Sequence, residues 1–210
     1  MPSTLTIRKV AEADFPSRYG HFRILGFEGK ATPEGLLGSE REESVVLRMG
    51  DISGPEPVLV RIHSQCLTGD VFHSLRCDCR AQLELALETI AREGRGLLIY
   101  EHQEGRGIGL LNKLRAYELQ DRGADTVEAN EQLGFKADLR GYEMPPAILK
   151  YLSVSAVRLM SNNPEKIQAL EREGIHVVER VPCIVKPSRS AKRYLRTKKE
   201  KLGHLLDFPA

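Results

Sequence analysis

The chain has 210 residues, 41% of them hydrophobic and 29% charged, and a formal net charge of +2. This composition belongs to a soluble folded protein of one large or two small domains and argues against disorder. No run of about 18 apolar residues occurs, which excludes a helical membrane span. The segment from Met1 to Lys9 lacks the basic-then-apolar order of a secretory leader, so a cytoplasmic protein without a membrane partner is expected.

Strand patterns cover 21–27 and 44–49, and the Gly/Glu/Pro-rich stretch 28–43 between them reads as a long loop. A third strand is predicted over 57–63. A helix follows over about 80–93, with Leu83, Leu87 and Ile90 on one face and Gly94 to end it. Leu97-Leu98-Ile99-Tyr100 is a short strand apolar enough to be buried on both faces. After a glycine-rich turn, a helix over about 109–122 carries the stripe Leu110, Leu111, Leu114 and Tyr117, closed by Gly123.

The late chain has the clearest unit. Ala156–Met160 is a strand, Asn163 an N-cap with Pro164 at the first helical position, and Ile167 and Leu170 the inward residues of a helix that stops near Gly174. Ile175–Val178 is the next strand, and this βαβ order implies parallel pairing. Residues 187–190 read as a linker before a last helix over about 191–206. The expected fold class is α/β, with mixed β-sheets flanked by helices and a C-terminal helix. We expect one domain over 1–210 with a basic helical tail from about 187 to 210.

Charge is unevenly spread. From Lys186 onward eight Lys/Arg face two Asp/Glu, a balance of +6, which leaves −4 for the rest of the chain. That favours a local anion site over a whole-protein nucleic-acid surface, although a solvated terminal helix has the same signature. Aromatics make up 6%, and no basic run is interleaved with them, so base stacking is poorly provided for.

There are four cysteines. Cys66, Cys77 and Cys79 cluster, and Cys183 lies among apolar neighbours as a core residue. In extended chain, residues two apart point the same way, so Cys77 and Cys79 can chelate one ion and Cys66 can return through a loop. Three thiolates leave one tetrahedral position open, the arrangement of catalytic zinc. His63 or His73 could instead close the site as a structural one, and buried thiols without metal are the third reading. Three thiolates with Zn2+ sum to −1, which weakens the ion's pull on a water and calls for a nearby base or cation. The turn Gly105-x-Gly107-x-Gly109, between a strand and a helix, suits an anion but is also how a plain tight turn looks. Arg61, Arg106, Arg140 and Lys166 are cationic candidates for phosphates.

Taken in order, these segments resemble the GTP cyclohydrolase II family. The resemblance is carried by Arg61–Asp70, Ser74–Cys79, Gln103–Lys113, Asp125–Asn130, Leu133–Phe135, Ser161–Pro164 and Tyr194–Leu206. It implies zinc held by Cys66, Cys77 and Cys79, attack of an activated water on the imidazole carbon of guanine, and release of formate and pyrophosphate to give a diaminopyrimidine for riboflavin synthesis. It further implies Asp138 as proton acceptor, Arg140 as nucleophile at phosphorus, and Tyr117 beside the guanine. GTP contacts would come from Arg61, Ile62, His63, Ser64, Gln65, Gln82, Glu104, Gly105, Arg106, Thr126, Ser161 and Lys166. Mg2+ would accompany the triphosphate, and the assembly would be a homodimer. Gln65 and Ser161 replace the family's frequent Glu and Thr, and the retained Tyr117 implies that deformylation goes to completion.

Guanidinium stays protonated to a pH above about 12, so an electrostatic clamp is the alternative role for Arg140. By charge matching, Glu104 would accept from the guanine and Arg106 would bind phosphate. Two other readings stand beside this one: a family member with an altered product for a secondary pathway, and a non-catalytic zinc-stabilised nucleotide or nucleic-acid module.

Overall fold

The apolar run at the chain's centre becomes the middle strand of a sheet. The computed structural model describes residues 5–30, 42–186, 188 and 190–206. Seven strands, β1 (Thr6–Ser17), β2 (Gly20–Lys30), β3 (Glu42–Met49), β4 (Val58–Ser64), β5 (Gly96–Glu101), β6 (Ala156–Met160) and β7 (His176–Val181), form one sheet in the order β1-β2-β3-β5-β4-β6-β7. The first four in that order pair antiparallel, and β5, β4, β6 and β7 pair parallel. The α/β class with mixed strand pairing is as expected, and among the described residues the seven strands make one sheet.

Both faces are covered, which explains the lack of alternation in β4 and β5. On one face Val60, Ile62, Leu97 and Ile99 pack under α5 (Met144–Tyr151) and α6 (Pro164–Arg172) through Ile148, Leu149 and Leu170. On the other, Leu59 and Leu98 meet Ala86, Leu87 and Ile90 of α2 (Cys79–Glu93) and the fully buried Cys183. Asn163 caps α6 by accepting from the Glu165 N–H, as its sequence foretells. No helix of the described residues is long and apolar enough to cross a membrane.

Several expectations need correction. The loop set at 28–43 is strand as far as Lys30 and again from Glu42, and the remainder, 31–41, lies outside the described residues, as do positions 187 and 189 of the linker. β1, with its charged residues and Pro16, carries no apolar alternation to announce it, yet pairs along its length with β2. The helix predicted over 109–122 is α3 (Leu110–Asp121), but Leu111 is 71% exposed and Leu114 43%. Its inward face is instead Lys113, Ala116, Tyr117 and Gln120, which line a cleft rather than the core. The last helix, α7 (Lys192–Leu202), is shorter than expected and ends at Gly203. The short α1 (Leu67–Asp70) and α4 (Thr126–Gln132) were not predicted. The capping box of α4, Asp125 with Glu128, was available in the sequence as its signal.

Candidate active site

β4, β5 and β6 are parallel; β4 and β5 end together at Ser64 and Glu101, and β6 stops earlier, beside Arg61, so the loops leave from the same edge of the sheet. In open α/β sheets this edge is where ligands are held. Here it opens into a cleft lined by residues of all three loops.

The loop after β4 carries the first cysteine. Asp70, buried, accepts from the Cys66 N–H at 3.0 Å, from His63 Nε2 at 3.1 Å and from the Tyr100 hydroxyl at 2.8 Å, which fixes α1 against the sheet. Cys79 opens α2 and Cys77 stands just before it. Asp78 between them has φ −105° and ψ 8°, so the pair is brought together by a helix start and not by extended chain. The three sulfurs lie within 4.8 Å of one another, with Cys66 and Cys77 at 3.7 Å.

Gly69 forms the floor of this cluster. A Cβ there would stand 2.9 Å from the Cys77 sulfur and 3.1 Å from that of Cys66, so only glycine leaves the sulfurs room to converge. Lys113 Nζ donates to Cys66 Sγ at 3.1 Å. Hydrogen bonds from Cys77 and Cys79, aided by Lys113, hold the Cys66 thiol far below its ordinary range. Its two neighbours keep their own protons: the hydrogen bond to Cys66 pushes Cys77 up to about 11 and Cys79 well above the usual thiol. A soft, thiolate-forming trio with a cation beside it fits a zinc-type ion. His63 is committed to Asp70 and His73 is exposed, so neither joins the cluster.

The turn after β5 is a tight 3-10 turn, Glu104–Gly107, with Gly105 and Arg106 both left-handed. Glu104, expected to accept from guanine, lines the cleft. One of its oxygens accepts from the Leu67 N–H at 2.7 Å, and the other accepts from Lys113 Nζ at 2.7 Å and from the Gly105 N–H at 3.0 Å. These contacts tie the turn to the cysteine loop. Arg106 reaches Thr126 Oγ1 at 3.4 Å and lines the cleft.

Opposite the thiols is a cluster of cations. Arg61 donates to the Met160 carbonyl at 3.0 Å and to Gln82 Oε1 at 2.7 Å, and its buried Nε has no partner. Lys166 donates to the Ile62 carbonyl at 2.9 Å and to Ser64 Oγ at 3.3 Å. Arg140 also donates to Ser64 Oγ, at 3.3 Å, and grips both oxygens of Asp138. Burial works against both charges of that pair, but their mutual hydrogen bonds prevail, so Asp138 falls below the usual carboxylate range and Arg140 rises above the usual guanidinium.

Glu101 lies beside Ser64 in the β4–β5 register, 1% exposed, and both its oxygens lack hydrogen-bond partners. Burial pushes it up to about 7, against the pull of Lys166 and Arg140 and with help from Glu42 and Glu143. Burial also lowers Lys166 to about 7. A carboxyl raised on folding confers stability that is full below its unfolded pKa, 4.5, and is lost as pH rises through about 7. The E101Q variant abolishes that titration. Its melting temperature relative to the parent should therefore improve by about 3 °C or more between about pH 5 and about pH 8. Parallel melting curves for the two proteins at both pH values are the check, and a constant difference refutes it.

Of the residues picked out from the sequence, the cleft is lined by Arg61, His63, Ser64, Gln65, Cys66, Cys77, Cys79, Gln82, Glu104, Gly105, Arg106, Tyr117, Thr126, Arg140, Ser161 and Lys166. Ile62 points into the core, where its side chain packs with Val60 and Ile99, and faces the site only through its carbonyl. Asp138 stands behind Arg140 and outside the lining. Sequence reasoning missed Lys113 as a partner of Cys66, and it missed Tyr194, Lys198 and His204 of the tail, which also line the cleft. The basic tail was the available signal for the latter, but charge alone did not tell a site from a solvated helix.

The sequence model of the family described as GTP cyclohydrolase II matches residues 8–182. A curated relative named GTP cyclohydrolase-2 from Yersinia pseudotuberculosis is 54% identical over 202 residues, 96% of this chain and 99% of the relative. The relative of that name from Escherichia coli is 54% identical over 203 residues, 97% of this chain and 100% of its own. The one from Shewanella amazonensis is 53% identical over 202 residues, 96% and 95%. A solved structure of RibBX, a two-domain 3,4-dihydroxy-2-butanone 4-phosphate synthase from A. baumannii, aligns at TM-score 0.37 and 16% identity, over 74% of this chain and 34% of that one.

Proposed function

Because the chain belongs to the GTP cyclohydrolase II family, a family of hydrolases of riboflavin biosynthesis, we propose that it opens the imidazole ring of GTP and releases formate and pyrophosphate, leaving a diaminopyrimidine ribosylamino monophosphate. The observation that carries this reading is the pairing, in one cleft, of a three-thiol cluster on a glycine floor with the cations Arg61, Lys166 and Arg140. Cys66, Cys77 and Cys79 would hold one zinc ion, which supplies Lewis-acid chemistry for attack on the ring.

The chain's own groups do the rest. Arg61, Lys166 and Arg140 bind the triphosphate, whose own oxygens would carry Mg2+. A polyphosphate beside Lys166 offsets the burial that lowers it, so the amine takes up a proton at neutral pH. Asp138 holds the fork of Arg140 toward Ser64 and the substrate. That charged, bidentate pair supports an electrostatic clamp over a nucleophile, which would have to shed its proton against Asp138. Tyr117 meets Thr68 Oγ1 at 3.0 Å beside the thiols, and burial keeps its phenol protonated, so it can donate to the purine side. Gln65, Gln82, Thr126 and Ser161 supply neutral polar contacts. A cytoplasmic homodimer belongs to the same reading and rests on the family.

The tail offers no support for a nucleic-acid module: Lys198 pairs with Asp78, and Lys201 with Asp125 and Glu128. Incubation with GTP and Mg2+, followed by formate assay and product mass spectrometry, tests the proposal. Formate, pyrophosphate and the diaminopyrimidine are expected. Zinc-loaded protein without turnover defeats it, and a formylated product identifies a member with altered output.

A further inference from the structure

α7, near the C-terminal end of the chain, reaches into the cleft through Tyr194 and Lys198. Lys198 Nζ lies 3.4 Å from Asp78 Oδ1, the aspartate side chain buried and the lysine 13% exposed. Its ammonium also sits over the Tyr194 ring, 4.5 Å from the centroid. Asp78 is the residue between two of the thiols. Its other oxygen accepts from Gln82 Nε2 at 2.5 Å, and Gln82 Oε1 in turn accepts from Arg61 at 2.7 Å. One chain of contacts thus runs from the C-terminal helix, through the turn that carries Cys77 and Cys79, to the arginine at the phosphate end.

The helix is built to stay there. Ala191, Leu195 and Leu206 form a small buried cluster of their own. Gly203, at φ 63°, ends the helix in the left-handed conformation, so the chain doubles back and the Leu205 N–H donates to the Asn162 carbonyl at 2.9 Å. Lys201 bonds the cap of α4 through Asp125 and Glu128.

We propose that Lys198 is a positioning residue of the active site: seated on Asp78, it holds the Cys77–Cys79 turn and the Gln82–Arg61 pair in the arrangement that receives metal and nucleotide. Without its cation, Asp78 is a buried charge left with one amide, and relief comes from turning toward solvent. That movement releases Gln82 from one side and shifts the two thiols on the other. The nucleotide arm of this inference rests on the function proposed above; the thiol arm does not.

The test compares K198M, which keeps the apolar stem, with K198R, which keeps the charge. Three readouts are taken on the full chain: the iodoacetamide alkylation rate of Cys77 in metal-free protein, the rate of zinc release to a chelator, and KM against kcat for GTP. Outer partners of ligand groups typically contribute 10–100-fold, so K198M should alkylate and release zinc about tenfold faster and show a KM raised about tenfold. K198R should recover most of each loss. If K198M fails to fold, D78N takes its place and should move the same three quantities.

Parental values for alkylation and zinc release in the folded variant, whatever its melting temperature, overturn the proposal. So does a raised KM alone, since Lys198 would then be a direct nucleotide ligand. A parent protein that turns over no GTP defeats the proposed function, while the alkylation rates still judge Lys198.

Discussion

Cys66→Ser is expected to lose both bound metal and ring opening, with turnover falling by more than about a thousandfold, the scale of several kcal/mol of Lewis-acid stabilisation. Cys66 is the sulfur on which the cluster turns. It lies 3.7 Å from Cys77 and takes the ammonium of Lys113 at 3.1 Å, and its thiol is the one held ionised. A serine hydroxyl neither ionises there nor matches the softness that zinc and thiolate share. Two thiolates and a neutral hydroxyl leave the ion one protein ligand short of the three a catalytic site uses, so the variant retains metal poorly. The fold should survive, because Asp70 still accepts from the backbone N–H of residue 66 and Lys113 keeps Glu104. Elemental analysis, formate assay and circular dichroism on the same preparation check this. A folded variant with stoichiometric zinc and full turnover removes Cys66 from the ligand set.

Arg140→Ala should be the second most damaging change. It deletes a clamp on the substrate and leaves Asp138 in a buried setting without its partner. Loss of a positioned transition-state donor costs about 10²–10³ in turnover. Breaking a buried pair costs about 3–5 kcal/mol of stability at most, and less here because Asp138 keeps some solvent. The pH dependence has a definite sign. Asp138, lowered from 3.8 by Arg140, contributes stability above 3.8 that is lost as pH falls through its folded value. R140A lacks that contribution and should gain nothing from the same pH rise.

Arg140→Lys keeps the charge but not the two-pronged grip on Asp138, and should fall between parent and R140A. The same experiment separates clamp from nucleophile. Intact-protein mass spectrometry during turnover should show no nucleotide adduct, whereas an adduct present in the parent and missing in R140A and R140K establishes covalent chemistry.

Local chemistry carried much of the fold. Asn163-Pro164 starts a helix because a side-chain acceptor and a fixed φ act within a few residues, and Leu97, Leu98 and Ile99 of β5 are all apolar because helices cover both faces of the sheet. β1 was silent because an edge strand draws its hydrogen bonds from β2 and sends only a few apolar residues, such as Ile7 and Phe15, to the core. The stripe on α3 misled for a related reason: its inward face meets a polar cleft, so Lys113 and Gln120 turn in while Leu111 turns out.

From the sequence by itself came the α/β class and three cysteines within chelating distance along the chain, because these are matters of residue type and short-range order; most of the residues that line the cleft were named through the resemblance to a family. Only the tertiary structure decided that Glu104 serves the cysteine loop, that Ile62 faces the core, that Glu101 lies buried without a partner, and that Lys198 reaches Asp78. Each of these pairs a group with neighbours set by strand order and helix packing, and the energy of a buried charge depends on those neighbours, which no local pattern of residues records.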